Sequence, residues 1–321
     1  MTKPSKAAVQ TERSADTVLR AVAIVAVVLI HVLSSIKPSP FYADSGVWQW
    51  VAVGLDQASR VSVPLFVALS GYGLWLGYGQ SMKFQDFPGF LYRRLRKLLP
   101  TYVAWSIVFA LVFTIFPTWT TRETLPSFPW QLVWGRADYH LYFVPMILQL
   151  YLLFPLLAWV QWRWPMVLLV GALAVQLAWY AYYSYGMHVP LDLVFFMGDS
   201  EQYLWSPNWI WYFVLGMQLP SVISYLRQRQ VFTVLMLLSS VVWVGMVVGA
   251  VSAINSGIDP LLALKFTRYE VVLYATLAVT TLLTAVQSIK RVPTIVEWLG
   301  VWSYHIYLSH TLLLRLLFNF R

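Results

Sequence analysis

The chain has no cysteine among its 321 residues, and few of its residues are charged. The missing thiols exclude disulfide bonds, thiolate catalysis, Cys-ligated zinc and iron–sulfur clusters. Charged residues make up 11% of the chain and hydrophobic residues 59%, whereas soluble domains carry about 25% charged residues. This composition indicates an integral-membrane protein with no separate soluble domain.

Several motifs that would assign other functions are also missing. The sequence has no Walker loop, no Rossmann glycine fingerprint and no Gly-x-Ser-x-Gly nucleophile motif. No grouping of histidines and carboxylates has metal-ligand spacing, so no metal is predicted. The net charge of +9 would suggest a nucleic-acid partner in a soluble protein, but in a membrane protein the positive-inside rule explains much of it. ATP-driven transport and nucleic-acid binding are therefore disfavoured.

Uncharged apolar runs predict nine membrane spans, near 20–36, 61–78, 98–117, 141–162, 164–185, 207–226, 231–254, 269–289 and 300–318. The predicted fold class is all-α, a polytopic transmembrane helical bundle of about 9–10 membrane-spanning helices. The whole chain, 1–321, forms one integral-membrane domain in this prediction. Lysine and arginine concentrate in the loops that are cytoplasmic when the N-terminus is cytoplasmic, so we expect that orientation.

Two span boundaries depend on mixed segments. The third span is predicted to begin at Leu98, after the basic run 93–97, with Pro100 closing that run. The segment 47–60 mixes aromatic and polar residues, which predicts either an amphipathic interfacial helix or a re-entrant start to the second span. The predicted outer loops lie near 37–50, 118–138 and 186–206 and are rich in Trp and Tyr. These aromatic side chains either anchor the protein at the membrane interface or stack on sugar rings.

Arg20 and His31 lie in the first apolar run. An eleven-residue step leaves a rotation of about 20° after three turns, so both side chains share one helical face about 16 Å apart. Ionisable groups in membrane spans are functional candidates, and an imidazole accepts a proton from a hydroxyl near neutral pH. His31 is therefore a candidate general base or nucleophile. Each residue also has a structural alternative. His31 is then a neutral histidine that hydrogen-bonds a neighbouring helix, and Arg20 extends its side chain to the membrane interface.

Arg93, Arg96 and Lys97 follow the spacing i, i+3 and i+4, so they share one helical face. Guanidinium groups bind phosphate bidentately, which makes this face a candidate site for a phosphorylated donor. Anchoring to anionic lipid explains the same pattern. In the second span, Ser70 contacts a substrate or, with Gly71 and Gly73, allows close helix packing.

The remaining candidates are polar residues at or within later spans. His140 lies at the start of the fourth predicted span, near the membrane boundary, where burying a histidine costs little free energy. Glu270 lies at the start of the eighth predicted span, beside Arg268. Glu270 either orients a histidine or forms an interfacial ion pair, and Asp56 with Arg60 presents the same alternatives. In the last span Ser303, Tyr307 and His310 form a polar stripe that faces the bundle.

Taken together, these segments resemble acyltransferase family 3, bacterial membrane enzymes that acylate cell-surface sugars. The likeness rests on Arg20-x10-His31, Val63-Pro64-Leu65-Phe66…Ser70-Gly71, Arg93-x-x-Arg96 with Pro100 and Tyr102, His140-Leu141-Tyr142-Phe143, and Leu299-Gly300…Ser303-Tyr304…Tyr307-Leu308-x-His310. The segments occur in this order over the whole chain. The family core has one helix more than the nine predicted here, and Tyr142 replaces a tryptophan.

The resemblance implies an O-acyltransferase of the bacterial inner membrane. It implies cytoplasmic acetyl-CoA, or another short acyl-CoA, as donor and the hydroxyl of a cell-envelope glycan or lipid-linked sugar as acceptor. Carried over, the catalytic pair is His31 and Arg20, and the donor phosphates bind Arg93, Arg96 and Lys97, with Ser70 nearby. His140, Tyr142, Glu270, Tyr307 and His310 are acceptor-binding or supporting residues.

Other functions remain alternatives at this point. A transporter or flippase of a lipid-linked glycan would also need a basic entrance and polar groups along its path. A non-catalytic subunit of an export assembly is a third interpretation. His31 acts either as a general base or through a covalent acyl-histidine. A homo-oligomer or a partner of envelope biosynthesis is compatible with the sequence.

Overall fold

The computed structural model describes residues 6–35, 42, 46–79, 84–119, 127–184, 203–289 and 291–318. In these residues the chain forms helices and no strand, which confirms the all-α fold class. The α-helices are α1 (Lys6–Ser35), α2 (Val47–Ser59), α3 (Ser62–Leu74), α4 (Phe87–Ile115), α5 (Phe128–Trp134), α6 (Phe143–Arg163), α7 (Pro165–Ser184), α8 (Ile210–Leu226), α9 (Arg229–Asn255), α10 (Pro260–Ala263), α11 (Tyr269–Ala285) and α12 (Thr294–Phe318). A π-helical segment, Trp75–Gly79, extends α3.

Six helical segments of the described chain are long and apolar enough to cross a membrane: Ser14–Ser35, Val47–Gly79, Phe87–Ile115, Phe143–Arg163, Pro165–Tyr183 and Arg229–Asn255. Two shorter apolar helices, α8 and α11, coincide with the predicted sixth and eighth spans. The predicted ninth span lies within α12. The chain is therefore a multi-pass membrane protein.

The chain divides into two compact units. The first comprises Met1–Leu69 and Leu219–Tyr307, and the second Ser70–Gln218 and Leu308–Arg321. In the first unit, α2 packs against α1 and α9, and α9 packs against α11. In the second unit, α4 packs against α6, which also contacts α7. Apolar side chains fill both interiors, because a helix in a bundle buries the stripe that faces its neighbours.

One boundary prediction needs correction. α4 begins at Phe87, not at Leu98, and contains both the basic run and Pro100. The prediction failed because it treated charge as the end of a span, whereas charged side chains can follow one face of a continuous helix. A proline is tolerated inside a membrane helix when neighbouring groups satisfy the freed carbonyl.

The segment 47–60 leads directly into the second span. Its polar residues face the interior of the first unit: Gln49, Asp56 and Gln57 are all buried. Gln49 donates a hydrogen bond to the side chain of Asn255 at 2.7 Å, and Trp243 donates to the carbonyl oxygen of Gly54 at 3.1 Å. Of the two alternatives, the packed start of a span fits the structure, and an amphipathic helix lying on the surface does not.

Candidate functional site

Arg20 and His31 lie on the same uninterrupted helix, α1, and both are partly buried. The predicted shared face is therefore present. Arg20 donates from Nε to Oδ2 of Asp16 at 2.7 Å, one helical turn earlier. The side chains of this ion pair remain 40% and 48% exposed, so the guanidinium is held by a partner without being enclosed.

The closing family segment meets this helix in the first unit. Gly300 of α12 lies against Thr17, and a methyl group at position 300 would collide with the carbonyl oxygen of Thr17. Thr17 precedes Arg20 by one turn. A glycine here lets the two backbones approach closely, as small residues do between membrane helices.

The basic run on α4 separates into two sets. Arg93, Arg96 and Lys97 are exposed and share a face, as predicted. Arg94, between them, points inward, and its Cζ atom lies 5.5 Å from the ring centroid of Tyr78, 5.6 Å from that of Phe90 and 6.0 Å from that of Tyr151. A guanidinium over aromatic faces is a favourable cation–π arrangement. Arg93 also lies beside Tyr78, with its Cζ atom 5.8 Å from that ring centroid. Arg94 therefore anchors α4, and Arg93, Arg96 and Lys97 remain exposed.

Ser70 is partly buried on α3, and the next residue explains why this segment is small. A methyl group at Gly71 would collide with the carbonyl oxygen of Phe213 on α8. Among the described residues, Gly73 has no neighbour of this kind. Close packing therefore accounts for Gly71 and not for Gly73, and the substrate role of Ser70 stays a prediction.

A buried cluster of charged and polar groups lies in the second unit, around Asp138. Arg315 donates to this carboxylate through two bonds, from Nη1 to Oδ2 at 2.6 Å and from Nη2 to Oδ1 at 3.0 Å. The hydroxyl of Thr311 donates to Oδ2 at 2.8 Å, and the amide of Tyr139 donates to Oδ1 at 2.8 Å. Nδ1 of His140 lies 3.2 Å from Oδ2. We call Asp138, His140, Thr311 and Arg315 the Asp138 cluster.

The charges of this cluster are well compensated. Burial by itself would raise the pKa of Asp138, but the hydrogen bonds and charges of His140 and Arg315 hold that pKa well below its usual value. Nε2 of His140 lies 3.3 Å from the carbonyl oxygen of Leu308. Each ring nitrogen of His140 therefore faces an oxygen acceptor, so the ring fixes the loop against α12 and is poorly placed to take a proton from a substrate.

His310 and the other residues of the predicted stripe on α12 are buried. Ser303 and His310 are each 3% exposed and Tyr307 is 6% exposed, whereas His305 is exposed. The rings of His140 and His310 meet edge to face, with centroids 5.0 Å apart. Tyr142, two residues after His140, stacks on Trp209 at 6.3 Å.

Glu270 contacts an arginine in the first unit. Its carboxylate oxygen Oε1 lies 3.4 Å from Nε of Arg268, and its side chain is 48% exposed. Asp56 accepts from Arg60 at 2.7 Å and is fully buried. The ion-pair alternative fits both acids.

The sequence reasoning missed Asp138, Thr311 and Arg315. One signal was available: Arg315 is an arginine inside an apolar helix, and intramembrane charges require partners. Asp138 has no local signature of an ion pair, because Thr311 and Arg315 lie more than 170 residues away along the chain. Among the described residues, no group of three or more metal-ligating side chains occurs.

Within the second unit, α4 carries the basic face near its start and contacts the Asp138 cluster near its end. Near its C-terminal end, Phe109 contacts His140 at a centroid distance of 5.4 Å, and the Phe113 ring lies 5.0 Å from Cζ of Arg315. Arg93 precedes Phe113 by about 30 Å along the helix axis at 1.5 Å per residue. That length matches the hydrocarbon thickness of a bilayer.

These features define a polytopic helical membrane protein with an exposed cationic face and a buried acid–histidine–arginine cluster toward opposite ends of one long helix. A family model described as acyltransferase domain matches residues 17–320, nearly the whole chain. The chain therefore belongs to this acyltransferase family, and the resemblance inferred from its motifs is confirmed. The comparisons with curated proteins and with solved structures found no significant match.

Proposed function

We propose that this membrane acyltransferase is an O-acyltransferase, with acetyl-CoA or another short acyl-CoA as donor and a hydroxyl of a cell-envelope glycan or lipid-linked sugar as acceptor. The observation that carries the proposal is the shared face of Arg20 and His31 on the unbroken helix α1. This helix brings a cation and a proton acceptor onto one face of an apolar segment. Family membership supports acyl transfer over a flippase.

The donor contacts the basic face of α4 in this proposal. Arg93, Arg96 and Lys97 are exposed along one side of the helix. The planar guanidinium groups of the two arginines and the compact ammonium group of the lysine suit the phosphates of coenzyme A. With the N-terminus cytoplasmic, this face lies toward the cytoplasm, where acyl-CoA is found. Arg94 keeps the helix in place through its aromatic contacts.

His31 carries the chemistry as a general base. Its imidazole accepts the proton of the sugar hydroxyl while the hydroxyl oxygen attacks the thioester carbonyl carbon. The new C–O ester bond forms, the C–S bond breaks, and the coenzyme A thiolate leaves and takes the proton back from His31. Arg20 stabilises the negative charge of the carbonyl oxygen or of a donor phosphate. An acyl-histidine intermediate is the alternative to be tested.

The other predicted residues have supporting roles. His140 is a positioning residue, because its contacts hold the loop before α6 against α12. Tyr142 and His310 flank it. Glu270 and Tyr307 belong to the first unit, and the ion pair with Arg268 assigns Glu270 to holding the start of α11.

The first experiment measures thiol release from isotope-labelled acetyl-CoA by the purified protein in nanodiscs, together with label transfer to added lipid-linked sugars. The wild type should release thiol, and Arg93→Ala with Arg96→Ala should raise the KM for acetyl-CoA at least tenfold. Arg229→Ala removes an exposed arginine at the first turn of α9 and is the matched control. It should leave the KM unchanged.

Two results would contradict the proposal. One is acetyl-CoA binding to the wild type that is equally tight in the Arg93 and Arg96 double variant, because the basic face would then not hold the donor. The other is that none of the short acyl-CoAs tried binds to the wild-type protein. Label found on His31 after acid quenching would favour the acyl-histidine route.

A further inference from the structure

The second span ends in a π-helical turn, Trp75–Gly79, which follows α3 directly. Such turns are rare, and they occur frequently at functional sites. One residue corresponds to about 100° of rotation around an α-helix, so the wider turn changes the direction in which its residues point. A methyl group at Gly79 would collide with the indole ring of Trp75, so a residue without a side chain suits this position. The turn therefore presents Tyr78 in a direction that a regular α-helix would not give it.

Tyr78 lies against the basic run on α4, within the second unit. Its ring centroid is 5.8 Å from Cζ of Arg93 and 5.5 Å from Cζ of Arg94, and the ring meets Phe90 edge to face at 5.2 Å. Tyr78 is partly buried, whereas Arg93 is exposed. One aromatic ring therefore contacts both the arginine that anchors α4 and the first arginine of the face that we assign to the donor.

The side chain of Arg93 folds back toward the start of α4. Its Nη1 atom lies 3.4 Å from the position that a Cβ atom would occupy at Gly89, one helical turn earlier. Long side chains on a helix commonly point toward the N-terminal end, and the missing side chain at Gly89 leaves room for the guanidinium. Arg93 therefore has two defined neighbours, the ring of Tyr78 and the helix surface at Gly89, although it is exposed.

An aromatic ring holds an arginine in a different way from a carboxylate. The ring attracts the cation through the negative charge of its face, and this attraction uses none of the five N–H donors of the guanidinium in ordinary hydrogen bonds. Arg20, by contrast, donates from Nε to the carboxylate of Asp16, which also offsets its charge. The contact with Tyr78 therefore leaves the charge and the donors of Arg93 to a phosphate group, which arginine binds through two parallel bonds.

We propose that Tyr78 is a positioning residue, which holds the guanidinium of Arg93 in place for a phosphate group of the acyl-CoA donor. Without the ring, donor binding would have to order a long, exposed side chain, and such ordering costs free energy. With the ring, the side chain is already ordered in the free protein. The role in donor binding rests on the proposed acyl transfer, whereas the support that Tyr78 gives to Arg93 does not.

The test measures the dissociation constant of acetyl-CoA by titration calorimetry in nanodiscs, together with KM and kcat for thiol release. Tyr78→Leu should raise the dissociation constant and the KM about two- to fivefold, the size of an exposed cation–π contact, and leave kcat unchanged. Tyr78→Phe keeps the ring and should keep the wild-type values. In an Arg93→Ala protein, Tyr78→Leu should have no further effect, because the ring then has no guanidinium to hold.

Tyr151 provides the matched control. Among the described cation–ring contacts, Tyr151 takes part in one with Arg94, at 6.0 Å, and in none with Arg93. Tyr151→Leu should therefore lower the melting temperature and leave the affinity for acetyl-CoA unchanged. An equal weakening by Tyr151→Leu and Tyr78→Leu would mean that the effect passes through Arg94 and the packing of α4, and it would reject the positioning role. An unchanged affinity in Tyr78→Leu, or the same loss in the Arg93→Ala background, would also reject it.

Inorganic pyrophosphate is the second probe, because it carries phosphate charges and no acyl thioester. Pyrophosphate binding that weakens in both Arg93→Ala and Tyr78→Leu, in a protein that neither binds nor cleaves any acyl-CoA, would keep the support of Arg93 by Tyr78 and reject the proposed function. If the wild type binds neither pyrophosphate nor any acyl-CoA, both are wrong. If Tyr78→Leu does not fold, Tyr78→Met, whose flexible side chain fills irregular gaps, replaces it in the same comparisons.

Discussion

Arg20 and Arg315 are both arginines on long helices, and each binds an aspartate, yet their surroundings differ sharply. The pair of Arg20 and Asp16 has one hydrogen bond and is 40% and 48% exposed. The pair of Arg315 and Asp138 has two parallel bonds and is 4% and 3% exposed. A buried pair whose lone pairs are all used holds structure together, whereas a half-exposed pair can exchange its partner for a substrate.

This comparison supports our proposal that the chemistry lies on α1 and that the Asp138 cluster contributes stability. His31, on the same face as Arg20, is partly buried, and His140 is almost completely buried with an oxygen at each ring nitrogen. Two histidines in one membrane protein therefore have opposite roles in our interpretation. The following predictions test that division.

The largest effect is expected for His31→Ala. Removing a general base lowers the rate by about 10²–10⁴-fold, so the rate of thiol release from acetyl-CoA should fall by at least that lower factor. His305, exposed on α12, provides the matched histidine control, and His305→Ala should keep the wild-type rate. A His31→Ala protein with the wild-type rate would move the chemistry away from α1.

Arg315→Ala should produce the largest loss of stability. It leaves the buried Asp138 carboxylate without its guanidinium partner, although Thr311 and the amide of Tyr139 still donate to it. Breaking a buried ion pair costs about 3–5 kcal/mol, measured as the free energy of reversible unfolding in mixed micelles. Arg163→Ala, at the exposed C-terminal end of α6, should change this free energy by less than about 1 kcal/mol.

A double variant separates structure from catalysis in this cluster. Asp138→Leu with Arg315→Leu replaces the ion pair by apolar groups and should recover much of the lost stability, because such replacements are often neutral. Loss of acyl transfer in a stable double variant would contradict the purely structural role of the cluster.

The next effect in size concerns the contact between α12 and α1. Gly300→Ala places a methyl group against the carbonyl oxygen of Thr17, and overpacking of this kind costs about 1–3 kcal/mol. Gly249→Ala on α9 has open space around it and should be neutral or slightly stabilising. Equal unfolding free energies for the two variants would mean that α12 can move away from α1 without a loss of stability.

The sequence predicted the helices well because hydropathy is a local property. The runs that become α6, α7 and α9 were located to within about two residues, the usual uncertainty of helix ends. The start of α4 was placed eleven residues too late, at Leu98 instead of Phe87. Its basic residues divide between an exposed face and an aromatic pocket, and only tertiary structure shows that Arg94 belongs to the second group.

The candidate site was less predictable for the same reason. The shared face of Arg20 and His31 follows from helix geometry and needs no tertiary information. The Asp138 cluster joins a loop to the last helix across more than 170 residues, a separation that no periodicity encodes.

The smallest effect is predicted for Asp16→Asn, and it tests the comparison directly. The variant removes the charge of Asp16, one partner of Arg20, while keeping the shape of the side chain. Because the pair is half-exposed, the unfolding free energy should fall by no more than about 1 kcal/mol, against several for Asp138→Asn in the buried pair. A loss of more than about 2 kcal/mol would show that Arg20 is held as firmly as Arg315. In that case its guanidinium would be a structural group, and the substrate role that we assign to α1 would have to rest on His31 alone.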